Sequence, residues 1–126
     1  MRWLMLVPAC CLGACALVLP PVGLHEVLQR PAERALLAGL RAYDDAQYAE
    51  AERELVKAVA LGLPSAKDRA SAHKHLAFVH CASQRVVSCA AAFRAARGAD
   101  AGFTLSRAEA GHPLWGPVYK RLPAPR

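Results

Sequence analysis

The fold is decided by residues 36–58, which read LLAGLRAYDDAQYAEAERELVKA. Apolar residues recur here at the three- and four-residue spacing of an α-helix, before and after the pair Asp44-Asp45. They are Leu36, Leu40 and Tyr43 in the first half, and Tyr48, Ala51, Leu55 and Ala58 in the second. Charged residues fill the opposite face of the second half. The stretch therefore predicts two amphipathic helices joined by a turn, a helical hairpin.

A second hairpin repeats the pattern 38 positions later, with its turn at Ser83-Gln84-Arg85. The shift pairs Gly39 with Ala77, Tyr48 with Val86, Ala51 with Cys89, Leu55 with Phe93 and Ala58 with Ala96. Small residues fall on small ones, as in tetratricopeptide repeats, where they let the two helices approach closely. That repeat usually has about 34 residues. The extra residues fall at 61–65, where Gly62 and Pro64 end one helix and Ser65 with Asp68 suits the start of the next.

Two such hairpins leave apolar ends that need a cap, and the segment from about residue 103 can supply one. Ser106 and Glu109 have the spacing of a capping box, and Gly111-His112-Pro113 ends that short helix. Apolar surface follows, with Trp115 expected to lie over the end of the second repeat. We therefore predict an all-α domain over residues 32–126, formed by two tetratricopeptide-like helical hairpins and a C-terminal capping segment.

The N-terminal residues have the pattern of a bacterial lipoprotein signal. Arg2 precedes a short apolar run that ends in Leu12-Gly13-Ala14-Cys15, where cleavage before the cysteine would leave it to carry lipid. We predict a signal peptide over residues 1–14, lipidation of Cys15 and a tether over residues 15–31. Pro8 and Pro20-Pro21 interrupt the run and disfavour a spanning helix. An ordinary signal peptide, a different start, or residues 3–19 kept as the membrane anchor of a cytosolic domain remain alternatives.

Composition and motifs argue against several function classes. The formal net charge is +6, but basic residues alternate with acidic ones, which indicates a solvated surface rather than nucleic-acid binding. The sequence contains no glycine-rich phosphate loop, GxSxG, CxxC or HxxxH pattern. His73, His75 and His80 are therefore interpreted as packed or hydrogen-bonded side chains rather than metal ligands. We expect no catalytic residues, no metal and no cofactor.

Two segments, AHKHLAF at 72–78 and GHPLWGPV at 111–118, resemble the TssQ family, small lipoproteins associated with type VI secretion systems of Gram-negative bacteria. Positions spread over residues 34–120 carry the rest of the resemblance: Gly39, Tyr43, Tyr48, Cys81, Cys89, Phe93, Phe103, Leu105 and Glu109. The resemblance implies a protein-binding accessory or scaffold of such a system. Its partners would be proteins of a cell-envelope secretion complex, without nucleic acid or a small-molecule substrate. The alternative is a general envelope adaptor or assembly factor for a secretin, a pilus or cell-wall machinery.

The location and the binding face follow as further expectations. Ala16 after the lipidated cysteine indicates the outer membrane, so the domain would lie at the periplasmic face of the envelope. Helical repeats bind partners on an inner face, here carried mainly by the first helix of each hairpin. The side chains that contact the partner stay undetermined.

The five cysteines divide by position. Cys10 and Cys11 would leave with the signal, and Cys15 would carry lipid. Cys81 and Cys89 remain as an even pair in an oxidising compartment. An antiparallel hairpin can bring the end of one helix within disulfide distance of the start of the next. We predict a Cys81–Cys89 disulfide, with two buried free thiols as the alternative.

Overall fold

The computed structural model describes Gly23, Glu26 and residues 29–124. Within these residues the chain is mostly helical and contains no strand, which confirms the all-α prediction. The helices are α1 (Pro31–Asp44), α2 (Tyr48–Leu61), α3 (Ala66–Ala82), α4 (Val86–Ala99), α5 (Arg107–Ala110) and α6 (Gly116–Lys120). None of the helices in this part of the chain is long and apolar enough to cross a membrane. The predicted signal peptide, Cys15 and most of the tether lie outside the described residues.

The turns of the two hairpins have the same backbone geometry. Ala46 and Gln84, which are 38 positions apart, both adopt left-handed conformations, with φ of 57° and 62°. Each turn also ends its helix with a backbone hydrogen bond between residues five positions apart, as in a Schellman motif. These bonds, both 2.8 Å long, run from Gln47 N–H to the Ala42 carbonyl and from Arg85 N–H to the His80 carbonyl. The 38-residue repeat that the side-chain pattern indicates is thus also present in the backbone conformation of the two turns.

The small residue at the centre of the first hairpin allows α1 and α2 to come close together. A Cβ atom added at Gly39 would lie 2.7 Å from Cγ and 3.1 Å from the backbone nitrogen of Leu55. The first separation is shorter than real Cβ contacts and the second is tighter than most of them, so a larger residue would require Leu55 or the helices to shift. The same position in the second hairpin holds Ala77, which is fully buried. Leu55 and Phe93, paired by the 38-residue shift, are both fully buried and fill the two interiors.

The connection between the hairpins absorbs the extra residues of the repeat. Gly62 ends α2 with a φ of 88°, a conformation that side chains disfavour. Ser65 caps α3, because its hydroxyl accepts a hydrogen bond of 3.2 Å from Asp68 N–H. Arg69 donates hydrogen bonds of 2.8 Å to the carbonyls of Leu63 and Pro64, which hold the loop against α3. The predicted start of the second hairpin is confirmed.

The C-terminal segment packs on the second hairpin, as predicted. Ser106 and Glu109 form both bonds of the capping box at the start of α5. Trp115 is nearly buried and stacks on Phe78 of α3, with the ring centroids 4.2 Å apart. Its indole N–H donates a 2.9 Å hydrogen bond to the Glu109 carbonyl. The indole therefore closes the end of the second hairpin and is itself held by the short helix before it.

Candidate protein-binding surface

The first helices of the two hairpins meet at a group of rings that we call the inner-face patch: Tyr43 from α1, Tyr48 from the start of α2, and His75 from α3. The Tyr43 ring lies 5.2 Å from the His75 ring and 5.8 Å from the Tyr48 ring, measured between centroids. Tyr48 is 40% exposed, so the patch opens to solvent at its first-hairpin side. Tyr43 and His75 lie on the first helices of the two hairpins, whereas Tyr48 belongs to a second helix.

The surroundings of His75 and Tyr43 favour the uncharged forms of both side chains. His75 uses Nδ1 for a 2.8 Å hydrogen bond to the Ser71 carbonyl, so this nitrogen carries the proton and Nε2 is the acceptor of the neutral ring. Burial lowers the pKa of His75 and thereby favours that neutral form. Burial also raises the pKa of Tyr43, with a further contribution from Tyr48 beside it. The surface thus offers aromatic contact rather than charge.

An ion pair between α3 and the capping segment borders the patch. Lys74 Nζ lies 2.7 Å from Glu109 Oε1, and both side chains are largely shielded from solvent. Partial burial acts to raise the pKa of Glu109, but hydrogen bonds from Lys74 and Ser106 outweigh it and lower the pKa. Glu109 therefore stays ionised and pairs with Lys74 while it caps α5. Next to it, the Trp115 ring covers Phe78, so the chain itself occupies the second-hairpin side of the inner face.

His112 also lies at the end of α5. Its backbone N–H donates a 3.1 Å hydrogen bond to the Glu109 carbonyl. The His112 ring lies parallel to the Trp115 ring, with centroids 3.4 Å apart. Both contacts help to fix the capping segment, and neither forms an acid–base pair.

Cys81 and Cys89 lie at disulfide distance, with Cα atoms 5.2 Å apart. Both are buried, Cys81 near the end of α3 and Cys89 in the first turn of α4. The proximity predicted from the hairpin is thus confirmed. A bond here would close the turn of the second hairpin; the equivalent turn of the first hairpin contains no cysteine.

The remaining histidines of α3 lie among packed side chains. Burial lowers the pKa of both His73 and His80. His80 Nδ1 is 3.9 Å from a Glu52 oxygen, too far for a hydrogen bond, and Glu52 is engaged by Arg85 at 2.6 and 2.8 Å. That pair joins α2 to the turn after α3. Among the described residues, no three His, Cys, Asp or Glu side chains are grouped as metal ligands.

No protein-family model matches the chain, and no curated protein or solved structure is significantly similar to it. The structure does show what the resembling segments do locally. Lys74 and Phe78 of AHKHLAF contact the capping segment through Glu109 and Trp115. The capping-box spacing predicted that Glu109 lies in the first turn of α5. No sequence signal indicated that it pairs with Lys74, which is 35 positions away.

Proposed function

We propose that this protein is a periplasmic lipoprotein, anchored in the outer membrane through Cys15, that binds protein partners as a scaffold of a type VI secretion system. The anchor rests on the sequence Leu12-Gly13-Ala14-Cys15, and the secretion system rests on the resemblance carried by residues 72–78 and 111–118. The binding role is the part to which the structure contributes most.

The observation that carries the binding role is the inner-face patch. Aromatic residues supply much of the binding energy of protein interfaces, and an exposed ring beside half-buried ones presents a contact surface that is already ordered. Tyr48 has this position, because it is exposed at 40% while Tyr43 beside it packs against His75. An extended or helical segment of a partner protein is the ligand that such a face accommodates.

The bonds around the patch favour binding over catalysis. His75 Nδ1 is hydrogen-bonded to a backbone carbonyl, and Glu109 is held by Lys74 and Ser106. A general base must reach a substrate proton, and Glu109 instead holds the cap in place. The bond at Nδ1 orients the His75 ring, which lies beside the rings of Tyr43 and Phe78. We therefore propose a non-enzymatic role.

A general envelope adaptor or assembly factor, for a secretin, a pilus or cell-wall machinery, is the second candidate. Phe78 and Trp115, which belong to the two resembling segments, stack on each other and hold the cap in place. Because any helical-repeat protein with this kind of cap could use the same contact, this observation favours the more general role. Genes for a sheath, a baseplate and a membrane core beside this one would favour the secretion system. Their absence, together with normal secretion in a deletion strain, would favour the adaptor.

The anchor is tested by palmitate labelling of the wild type and of Cys15→Ser in cells. We expect label only in the wild type, and wild-type protein in outer-membrane fractions. Label that persists in Cys15→Ser would refute lipidation at this residue.

The binding role is tested by complementing a deletion strain with Tyr48→Glu. The matched control is Val56→Glu on α2, where the native side chain is 51% exposed. We expect Tyr48→Glu to abolish secretion by the system and the control to restore it, with both proteins present at wild-type levels. Equal restoration by the two variants would contradict a role of the patch in secretion.

A further inference from the structure

A cleft of about 220 Å³ lies between α4 and the segment that begins at α6. It shares no residue with the inner-face patch. Its apolar lining consists of Val86, Ala90, Val118, Leu122 and Pro123. Two arginines, Arg94 from α4 and Arg121 from the end of α6, complete the wall. We call it the arginine-rimmed cleft.

The far wall of the cleft is held in place by specific contacts. Arg97 donates a 2.7 Å hydrogen bond to the Pro123 carbonyl, and its guanidinium lies 4.7 Å from the Tyr119 ring centroid. Tyr119 in turn packs edge-on against the buried Phe93 at 5.2 Å. The C-terminal segment is thus tied to α4, so the cleft is a formed feature of the fold.

The charged residues that line the cleft are both positive. Arg94 and Arg121 are exposed, and neither makes a side-chain hydrogen bond or ion pair within residues 29–124. No Asp or Glu belongs to the lining. Guanidinium groups bind carboxylates through paired hydrogen bonds, so this rim attracts acidic side chains more than any other common protein group.

The size of the cleft limits what can enter its apolar part. Pockets for small molecules usually enclose about 300–1,000 Å³, more than this cleft offers. One or two apolar side chains of a peptide fit the space better. We infer that the arginine-rimmed cleft docks an acidic segment of a partner protein, with an apolar side chain against Val86 and Ala90 and flanking Asp or Glu side chains at Arg94 and Arg121.

This inference does not depend on the secretion-system assignment or on the inner-face patch. A lipid surface is the less suitable occupant, because membrane adsorption uses a broad basic face with apolar residues that protrude. Here the apolar residues line a recess with a charged rim. A segment bound here would leave the inner-face patch open to a second partner.

The test is selection of random eight-residue peptides on the full-length protein in detergent. Parallel selections use Arg94→Gln/Arg121→Gln and the control Arg34→Gln/Arg41→Gln, which removes the same charge from exposed positions of α1. We expect enriched peptides with Asp or Glu beside Leu, Ile or Phe. The leading peptide should bind the cleft variant more than about tenfold more weakly and the control within about twofold. Ala90→Phe, which fills the recess, should also abolish binding.

Three outcomes would overturn the inference: no enriched peptide, enriched peptides without acidic residues, or equal binding to the cleft variant and the control. Binding of the cleft arginines to phosphatidylglycerol vesicles but to no peptide would assign the cleft to lipid instead. Increased peptide affinity after removal of residues 124–126 would show that the chain's own end competes for the cleft, and persistence of the acidic preference would still support the inference.

Discussion

The two hairpins share one backbone plan and differ in what closes them. In the first, α1 and α2 meet through Gly39 and Leu55, and the aromatic rings lie at the edge. In the second, Phe78 and Phe93 fill the interior, and two further features close it: the Cys81–Cys89 pair at its turn and Trp115 over its end. The repeat spacing therefore determines the fold of both hairpins, whereas the cysteine pair and the tryptophan cap are found in the second hairpin.

This difference predicts that substitutions in the two halves have different effects. The second hairpin receives the cap, so its side of the inner face is occupied by Trp115 and by the Lys74–Glu109 pair. The first hairpin keeps Tyr48 exposed at the opening of the inner-face patch. We therefore expect changes to the cap to affect stability first, and changes at Tyr48 to affect binding first.

The largest effect is expected for Trp115→Ala. Removal of a nearly buried indole that stacks on Phe78 and is hydrogen-bonded to Glu109 should lower the free energy of unfolding by about 3–5 kcal/mol. Leu114→Ala, at a side chain that is 52% exposed, is the control and should change it by less than about 0.5 kcal/mol. Urea unfolding followed by circular dichroism measures both.

Hydrogen exchange on Trp115→Ala locates the effect. Amides of α3 and α4 should lose more protection than those of α1 and α2. An equal loss in both hairpins would contradict the idea that the cap belongs to the second.

Reduction of the Cys81–Cys89 pair should have the next largest effect. A bond across this separation of 8 residues restricts the unfolded chain, and the loop-entropy model gives about 2.5 kcal/mol. Cys81→Ser/Cys89→Ser should be less stable than the reduced wild type, because its hydroxyls lie in a buried site. Thiol titration of the denatured, unreduced protein shows whether the bond exists. Two reactive thiols at these positions would refute it.

The close contact of the first hairpin is tested by comparing two glycines. Gly39→Ala should destabilise by about 1–3 kcal/mol, because its Cβ would collide with Leu55. Gly98→Ala lies in α4 with no atom within 4 Å of the new Cβ, so it should stabilise by about 0.5–1 kcal/mol. Thermal unfolding of both variants should shift in opposite directions. Stabilisation of both variants would show that α1 and α2 can separate without cost.

A smaller effect is expected from pH. Burial lowers the pKa of His75 in the folded protein, so the unfolded chain binds the proton first as the pH falls. Stability should be unaffected above the ordinary histidine range, decrease as the pH falls through it, and level off below the folded-state pKa. His75→Gln should flatten this part of the profile, measured as the urea midpoint between about pH 8 and pH 5. If His75→Gln left the slope of stability against pH unchanged, the pH dependence would come from other groups, such as His73 and His80.

The sequence predicted the features that depend on local spacing. The 38-residue shift, the Ser106–Glu109 capping box and the proximity of Cys81 to Cys89 all follow from helical periodicity and from the geometry of a hairpin. The general position of Trp115 followed because an open repeat end needs apolar cover. The helix α1 begins at Pro31, whose fixed φ suits a first helical position.

The sequence could not predict contacts that depend on how separate elements are oriented. Lys74 and Glu109 are typical exposed residues by type, and only the direction of α5 relative to α3 brings them together. The arginine-rimmed cleft likewise requires the path of the chain after α6, which Arg97 holds through the Pro123 carbonyl. Such features carry no periodic signal, so they appear only when the packing is known.

The proposed binding role of the inner-face patch is tested most directly by site-specific photocross-linking in the protein's own cells. Para-azidophenylalanine at Tyr48 lies at the open side of the inner-face patch, and the same probe at Val56 on α2 is the control. We expect cross-links from position 48, and not from position 56, to a structural component of the proposed secretion system. Cross-links of equal yield from both positions, or none from position 48 in cells that secrete normally, would contradict it.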